Sequence, residues 1–322
     1  MHYPLSPDIQ PEFCSNGTFM RLPCEDPDAK LAVIGLPFDT AASYRTGARF
    51  APQAIRQSSM TLFPYHPVFG NYPFEETHAI DAGDVPVIPH NIGRSYALME
   101  ERIGNLMEKG IIPIGLGGDH SVTLAGLRAA AKHFGPLAMI HFDAHTDTWD
   151  TYYGEKYWHG STFIRAYEEG LLQPSKVFQL GIRGTLNHPG DVEDSRRLGF
   201  HVITTSGLDT KGFGAVLQEM KTAIGDTPCF LTFDIDFVDP SCAPGTGTME
   251  AGGFSSRETL KMVRALKGFH FVGFDLVEVL PQYDAGQITS LLAATLVHDF
   301  AGLAALRLKR DEPVFEKAST PE

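Results

Sequence analysis

The chain has 322 residues, 43% hydrophobic and 20% charged, with a formal net charge of −13 and four cysteines. This balance suits a globular protein with one large buried core. The acidity argues against a general nucleic-acid binder, which would carry a basic patch. Cys14, Cys24, Cys229 and Cys242 form no Cys-x-x-Cys pair and are too few for a disulfide scaffold, so a reduced, cytoplasmic protein is expected. Met1–Phe13 is polar and contains proline, unlike a signal peptide. No run of 18 apolar residues marks a membrane span, and no membrane partner is expected.

Short apolar, β-branched runs recur along the chain: Leu31–Leu36, Ala79–Ala82, Ile111–Leu116, Leu137–Phe142, Lys176–Ile182, His201–Thr205, Cys229–Ile235 and Phe269–Val279. They are continuous rather than alternating, which suits strands buried on both faces. Helical spacing is expected over Ser121–Phe134, Gly212–Ile224, Ser255–Leu266 and Gln287–Leu308. Strands alternating with helices predict an α/β fold, a parallel sheet with helices on both faces. Without an internal repeat or low-complexity linker, residues 1–322 read as one domain. An N-terminal arm of about residues 1–30 and a charged C-terminal tail of about residues 309–322 would lie outside the sheet, the tail partly disordered.

Ligand sites in parallel sheets gather at the carboxyl ends of the strands, and three such ends carry polar clusters. Ile140–Phe142 runs into Asp143-Ala144-His145-Thr146-Asp147. In an extended chain, alternation places Asp143, His145 and Asp147 on one face. Phe230–Phe233 runs into Asp234-Ile235-Asp236, and Gly115–Gly118 runs into Asp119-His120-Ser121. Asp119 is expected to cap the next helix or brace His120, and His141, inside an apolar run, reads as structural. Cys242 reads as packing. The remaining six residues, His120, Asp143, His145, Asp147, Asp234 and Asp236, carry too much charge for one cation. They suit two divalent ions sharing carboxylates. A lone aspartate after a strand is usually a turn residue or cap, but burying this many like charges without cations would be prohibitive. Oxygen-rich ligands with imidazole and no thiolate favour Mn²⁺, with Ni²⁺, Co²⁺ or Fe²⁺ as alternatives.

Gly-Gly-Asp-His-Ser, Asp-Ala-His-Thr-Asp and Asp-Ile-Asp-Phe-Val-Asp-Pro resemble the three metal motifs of the ureohydrolase family, which includes arginase and agmatinase. Arg45–Arg56, His159-Gly160-Ser161, Ala243–Thr248 and Leu276–Pro281 are also family-like, so the resemblance runs from about residue 30 to 306. The agmatinase-like branch, with guanidinobutyrase and guanidinopropionase-like enzymes, is nearer than arginase. The resemblance implies a three-layer α/β/α sandwich with an eight-stranded, mainly parallel sheet, and a homo-oligomer, trimeric or hexameric. It implies hydrolysis of a guanidino C–N bond to urea, or a substituted urea, and an amine. One ion would take His120, Asp143, Asp147 and Asp234, the other Asp143, His145, Asp234 and Asp236, with Asp143 and Asp234 bridging. His159 would shuttle a proton to the leaving amine, Glu278 would hold the guanidinium, and Asp147 would relay a proton. Taken alone, His159 reads as a surface loop histidine and Glu278 as an arginine partner.

The guanidino substrate is less legible. The loop Thr148–Trp158 is rich in aromatic residues, suited either to a cation-accepting wall or to a subunit interface. Met249 stands where the family has proline, and Ala51 where it has glycine. Arg45, Arg49 and Arg183 are candidates to bind a substrate carboxylate. A small alkylated guanidine or biguanide is an alternative substrate. A hetero-oligomer with a related subunit, or a non-catalytic partner subunit, is an alternative role. A deacetylase-like amidohydrolase on a similar fold would need only one zinc, against six ligand-type residues here.

Overall fold

The computed structural model describes Pro11 and residues 13–311. Eight strands form one sheet: β1 (Leu31–Leu36), β2 (Ile80–Asp84), β3 (Ile112–Gly117), β4 (Leu137–Phe142), β5 (Leu172–Ile182), β6 (His201–Thr204), β7 (Cys229–Asp234) and β8 (Phe271–Val277). Their order is β2-β1-β3-β8-β7-β4-β5-β6, and every neighbouring pair is parallel. The expected strand count and direction therefore hold. β5 starts earlier than expected, at Leu172, and β8 stops at Val277, where Glu278 turns into a left-handed conformation with φ 62°.

Successive residues of a strand point to opposite faces, and here both faces are apolar. Leu31, Val33, Ile114 and Leu116 pack on one side with Ala293, Leu296, Val297 and Phe300. Ala32, Ile34 and Leu36 pack on the other with Met99, Ile103, Leu124 and Leu127. The first partner layer includes the helix Ile288–Asp311 and the second the helices Ile92–Glu108 and Thr123–Phe134. Two cores around one sheet make the three-layer α/β/α sandwich.

Ile92–Glu108 is absent from the expected helices, although Tyr96, Met99, Ile103 and Met107 are its buried stripe and Asn91 caps it. The segment Ala285–Arg310 is long and apolar enough by length and composition to cross a membrane, yet 72% of its most apolar window is buried inside the protein, as in a core helix. Before β1, Phe19, Met20 and Leu22 lie outside the sheet but belong to its core. The final helix carries the start of the expected tail to Asp311, and the rest, 312–322, lies outside the described residues. Among the described residues the four cysteines are free, and Cys242 packs against the core as expected.

One buried network fastens the loop after Thr61 to the last helix. His66 Nε2 lies 2.6 Å from Asp299 Oδ1, and Arg264 Nε donates to both Asp299 oxygens at 3.0 Å. His298 lies beside it, 3.1 Å from the Phe63 carbonyl. Burial, with the charges of His66 and Arg264 and against that of Asp299, holds His298 down to about 4 from 6.5. In the unfolded chain this imidazole protonates near pH 6.5, so stability is unaffected above that pH and falls as pH drops towards 4. His298→Gln should remove a dependence on the order of 3 kcal/mol across that window. A pH series of denaturant melts checks it, and an unchanged slope would refute this origin.

Candidate metal centre

The polar clusters all sit at the carboxyl ends of β3, β8, β7 and β4, four adjacent strands at the centre of the sheet. At the end of β3 the backbone passes so close to the exit of β1 that a Cβ on Gly118 would lie 1.9 Å from the Phe38 carbonyl oxygen. Only glycine permits that approach. Asp119 then caps the short turn His120–Val122, accepting from the Ser121 amide at 3.0 Å, and its other oxygen accepts from the Ala41 amide at 2.9 Å. Burial, with the charge of Glu278, pushes the Asp119 carboxyl up to about 7. It is the expected cap and is not part of the ligand cluster.

The turn delivers His120 Nδ1 to three carboxylates: Asp143 Oδ2 at 3.0 Å, Asp147 Oδ2 at 3.0 Å and Asp234 Oδ2 at 3.2 Å. A second group forms around His145 Nδ1, with Asp236 Oδ2 at 3.0 Å and Asp143 Oδ1 at 3.4 Å. Asp143 gives one oxygen to each group. The remaining Asp234 oxygen accepts from the Asp236 amide at 2.8 Å, just as Asp143 Oδ1 accepts from the His145 amide at 2.6 Å. Asp143, His145 and Asp147 do not converge by strand alternation. β4 ends at Phe142, and Asp147 turns back with φ 49°, which brings it beside His120.

Three features show that this donor set fits divalent cations. His120 Nδ1 is buried and, among the described residues, has no hydrogen-bond partner despite its three acidic neighbours. Burial raises Asp234 well above the usual carboxylate range, with Asp236 and Asp143 adding to it, and burial and Asp143 push Asp236 up to about 6. Ligands at about 2.1 Å from one ion in an octahedral set lie about 3 Å apart, matching the observed contacts.

His141, expected to be structural, braces this cluster. Gln179 accepts from Ser195 Oγ through Oε1 and donates through Nε2 to His141 Nδ1 at 3.1 Å. The His141 proton is therefore on Nε2, which donates to Asp143 Oδ2 at 2.7 Å. The motif pattern gave no sign of Gln179 or Ser195.

Beside the ligands lies a coupled pair. Glu278 Oε1 accepts from His159 Nδ1 at 2.8 Å and from the His120 amide at 2.9 Å. His159 Nε2 lies 2.8 Å from Ser43 Oγ and 3.1 Å from the Ser43 amide. Burial alone would lower His159, but the Glu278 carboxylate outweighs it and raises the imidazole to about 9. Ser43 was not foreseen, since no spacing rule links it to residue 159.

His145, Asp147, Asp234 and His159 face a cavity of about 350 Å³. Its wall comes from the aromatic loop. Trp158 stacks on Trp149 at 5.9 Å and on Tyr152 at 4.8 Å between ring centroids, and all three line the cavity. Among the described residues, no arginine or lysine lines it. Arg49 is paired with Asp39. Arg183 donates to the carbonyls of Asp236, Phe237 and Glu250 at 2.6, 3.1 and 2.9 Å. Arg45 lies over the Tyr283 ring, 4.5 Å from its centroid, with Met249 Sδ 3.9 Å from Nη1. Ala51 opens the helix Ala51–Ser58 with φ −60°, a conformation that needs no glycine.

Residues 29–302 match the profile described as the arginase family. The chain is 38% identical over 304 residues to guanidinobutyrase of Pseudomonas aeruginosa, covering 93% of this chain and 95% of that protein. It is 42% identical over 290 residues to agmatinase of Neisseria meningitidis, covering 88% and 91%. The solved structure of proclavaminate amidino hydrolase from Streptomyces clavuligerus superposes with a TM-score of 0.88 at 38% identity, covering 92% of this chain and all of that one.

Proposed function

This chain belongs to the arginase family, in its agmatinase-like branch, and we propose that it cleaves a guanidino C–N bond to release urea, or a substituted urea, and an amine. One observation carries the reading: two carboxylate–imidazole groups share Asp143 and stand beside the His159–Glu278 pair. The site draws on residues from His120 to Glu278, so the reading takes the chain as one catalytic domain.

In this reading His120, Asp143, Asp147 and Asp234 would hold one divalent ion, and Asp143, His145, Asp234 and Asp236 the other. Mn²⁺ suits the donors best and Ni²⁺ next. Two ions held there would make water a stronger nucleophile near neutral pH and would offset the charge of the buried carboxylates. Glu278 binds the guanidinium by charge-assisted hydrogen bonds. Its Oε1 is committed to His159 and His120, so the guanidinium would meet its other oxygen. Asp147, turned back towards His120, accepts a proton from the attacking water.

His159 supplies the proton that the leaving amine needs. Its Nε2 has a suitable partner in either protonation state. The Ser43 amide donates to the neutral ring, and the Ser43 hydroxyl oxygen accepts from the charged ring. The aromatic wall keeps water from the bond being cut.

The relatives named for guanidinobutyrate and agmatine hydrolysis favour a substrate whose far end is charged. The wall favours a second reading. With Trp149, Tyr152 and Trp158 on the cavity and no arginine or lysine among its described lining residues, a carboxylate finds no cationic partner there, and a small uncharged alkyl far end would pack on the rings in place of the ammonium that such rings also accept. Comparing kcat/KM for agmatine, 4-guanidinobutyrate and N-butylguanidine, matched in chain length, decides between them. A clear preference for either charged compound supports the first reading, and a preference for N-butylguanidine supports the second. Failure of all three with metal-replete protein contradicts both.

A further inference from the structure

Asp275 lies in the middle of β8 with 2% of its surface exposed, and the chemistry above does not use it. Burying a carboxylate is costly unless it has partners, yet its Oδ1 has none. Its neighbour across the sheet is Thr232 of β7, its partner in register; burial pushes the Asp275 carboxyl up to about 6, against the hydroxyls of Thr232 and Thr123 and the Phe233 amide. Thr232 Oγ1 in turn lies 2.9 Å from His120 Nε2 and 3.5 Å from Thr123 Oγ1. Thr232 thus stands between Asp275, its register partner, and the far side of the His120 ring. The near side is Nδ1, among Asp143, Asp147 and Asp234.

We propose that Asp275, acting through Thr232, is a positioning residue that keeps the neutral His120 proton on Nε2 and so leaves Nδ1 open to a cation. A hydroxyl can donate or accept. If Thr232 donated to Nε2, the ring proton would move to Nδ1 and occupy the place among the three carboxylates. A carboxylate can only accept, so Asp275 takes the Thr232 hydrogen, and the Thr232 oxygen must then accept from Nε2–H. Outer partners of this kind fix the tautomer and orientation of ligating histidines. The Asp275 carboxylate is a fixed acceptor, whereas Thr123 offers another ambivalent hydroxyl.

This inference rests on the reading that the His120 group holds an ion, and its test separates the two. Mn²⁺ affinity is measured by chelator competition on the full chain for the wild type, Asp275→Asn, Thr232→Val and Thr232→Ser, with bound metal counted by elemental analysis. Asp275→Asn and Thr232→Val should weaken one of the two ions by about 10- to 100-fold and leave the other at wild-type affinity. Thr232→Ser, which keeps the hydroxyl, should bind both ions as the wild type does. A purely structural role for Asp275 would weaken both sites together, or neither. Should Asp275→Asn fail to fold, Thr232→Val decides, because it preserves volume. Wild-type affinity for both ions in either folded variant overturns the inference and leaves the metal reading intact. A wild-type protein that binds no Mn²⁺ overturns both.

Discussion

Asp143→Asn is expected to leave the protein folded, with fewer than one ion per chain and turnover lower by about 10³-fold or more. Asp143 places Oδ2 against His120 and Oδ1 against His145, so both ion positions draw on this one carboxylate. An amide of the same shape offers one neutral oxygen and cannot serve both. Metal Lewis acids contribute several kcal/mol to such reactions, and each 1.36 kcal/mol is tenfold in rate. Elemental analysis and urea release on one sample check this, with circular dichroism confirming the fold. Two ions and near-normal turnover would remove Asp143 from its position between the sites.

Glu278→Gln is expected to lower kcat/KM by about 10³-fold while both ions stay bound. Breaking one partner of a buried, hydrogen-bonded charge pair costs 2 to 5 kcal/mol or more, in the range of about 30- to several-thousand-fold. The second consequence falls on His159. Its imidazole is raised to about 9 against the opposing effect of burial chiefly by Glu278, so with a neutral amide beside it the proton is lost at lower pH. If His159 supplies the leaving amine's proton, the alkaline limb of the pH–rate profile moves down in the variant. An unchanged KM and an unmoved limb would mean that Glu278 meets neither the guanidinium nor the working form of His159.

Much of the centre was legible because strand ends announce themselves. Apolar runs into Asp143, Asp234 and Gly117 mark where a buried sheet stops, and the polar residues just beyond are the ones that the four central strands bring together. Local chemistry did not reveal how they converge. Asp147 reaches His120 through a left-handed turn, whereas alternation would have set it on a strand face with Asp143 and His145. His141 looked like core filling because its strand is apolar, yet its partner Gln179 is on the neighbouring strand β5. Asp275 and Thr232 are single polar residues within continuous apolar runs, and only strand register puts them side by side. The aromatic loop showed its composition but not its destination. That depended on Gly160, where a Cβ would come within 3 Å of both Trp149 and Trp158, so the smallest residue allows the wall to close over the cavity.

The most direct test of this account is urea release by the purified protein, loaded with Mn²⁺ and separately with Ni²⁺, with bound metal counted on the same sample and Asp147→Asn run alongside. The account predicts about two ions per chain, turnover of at least one guanidino compound, loss of that turnover on chelation, and little in the variant. Two bound ions with neither urea nor alkylurea formed from any guanidino compound, or full activity in Asp147→Asn, would contradict it.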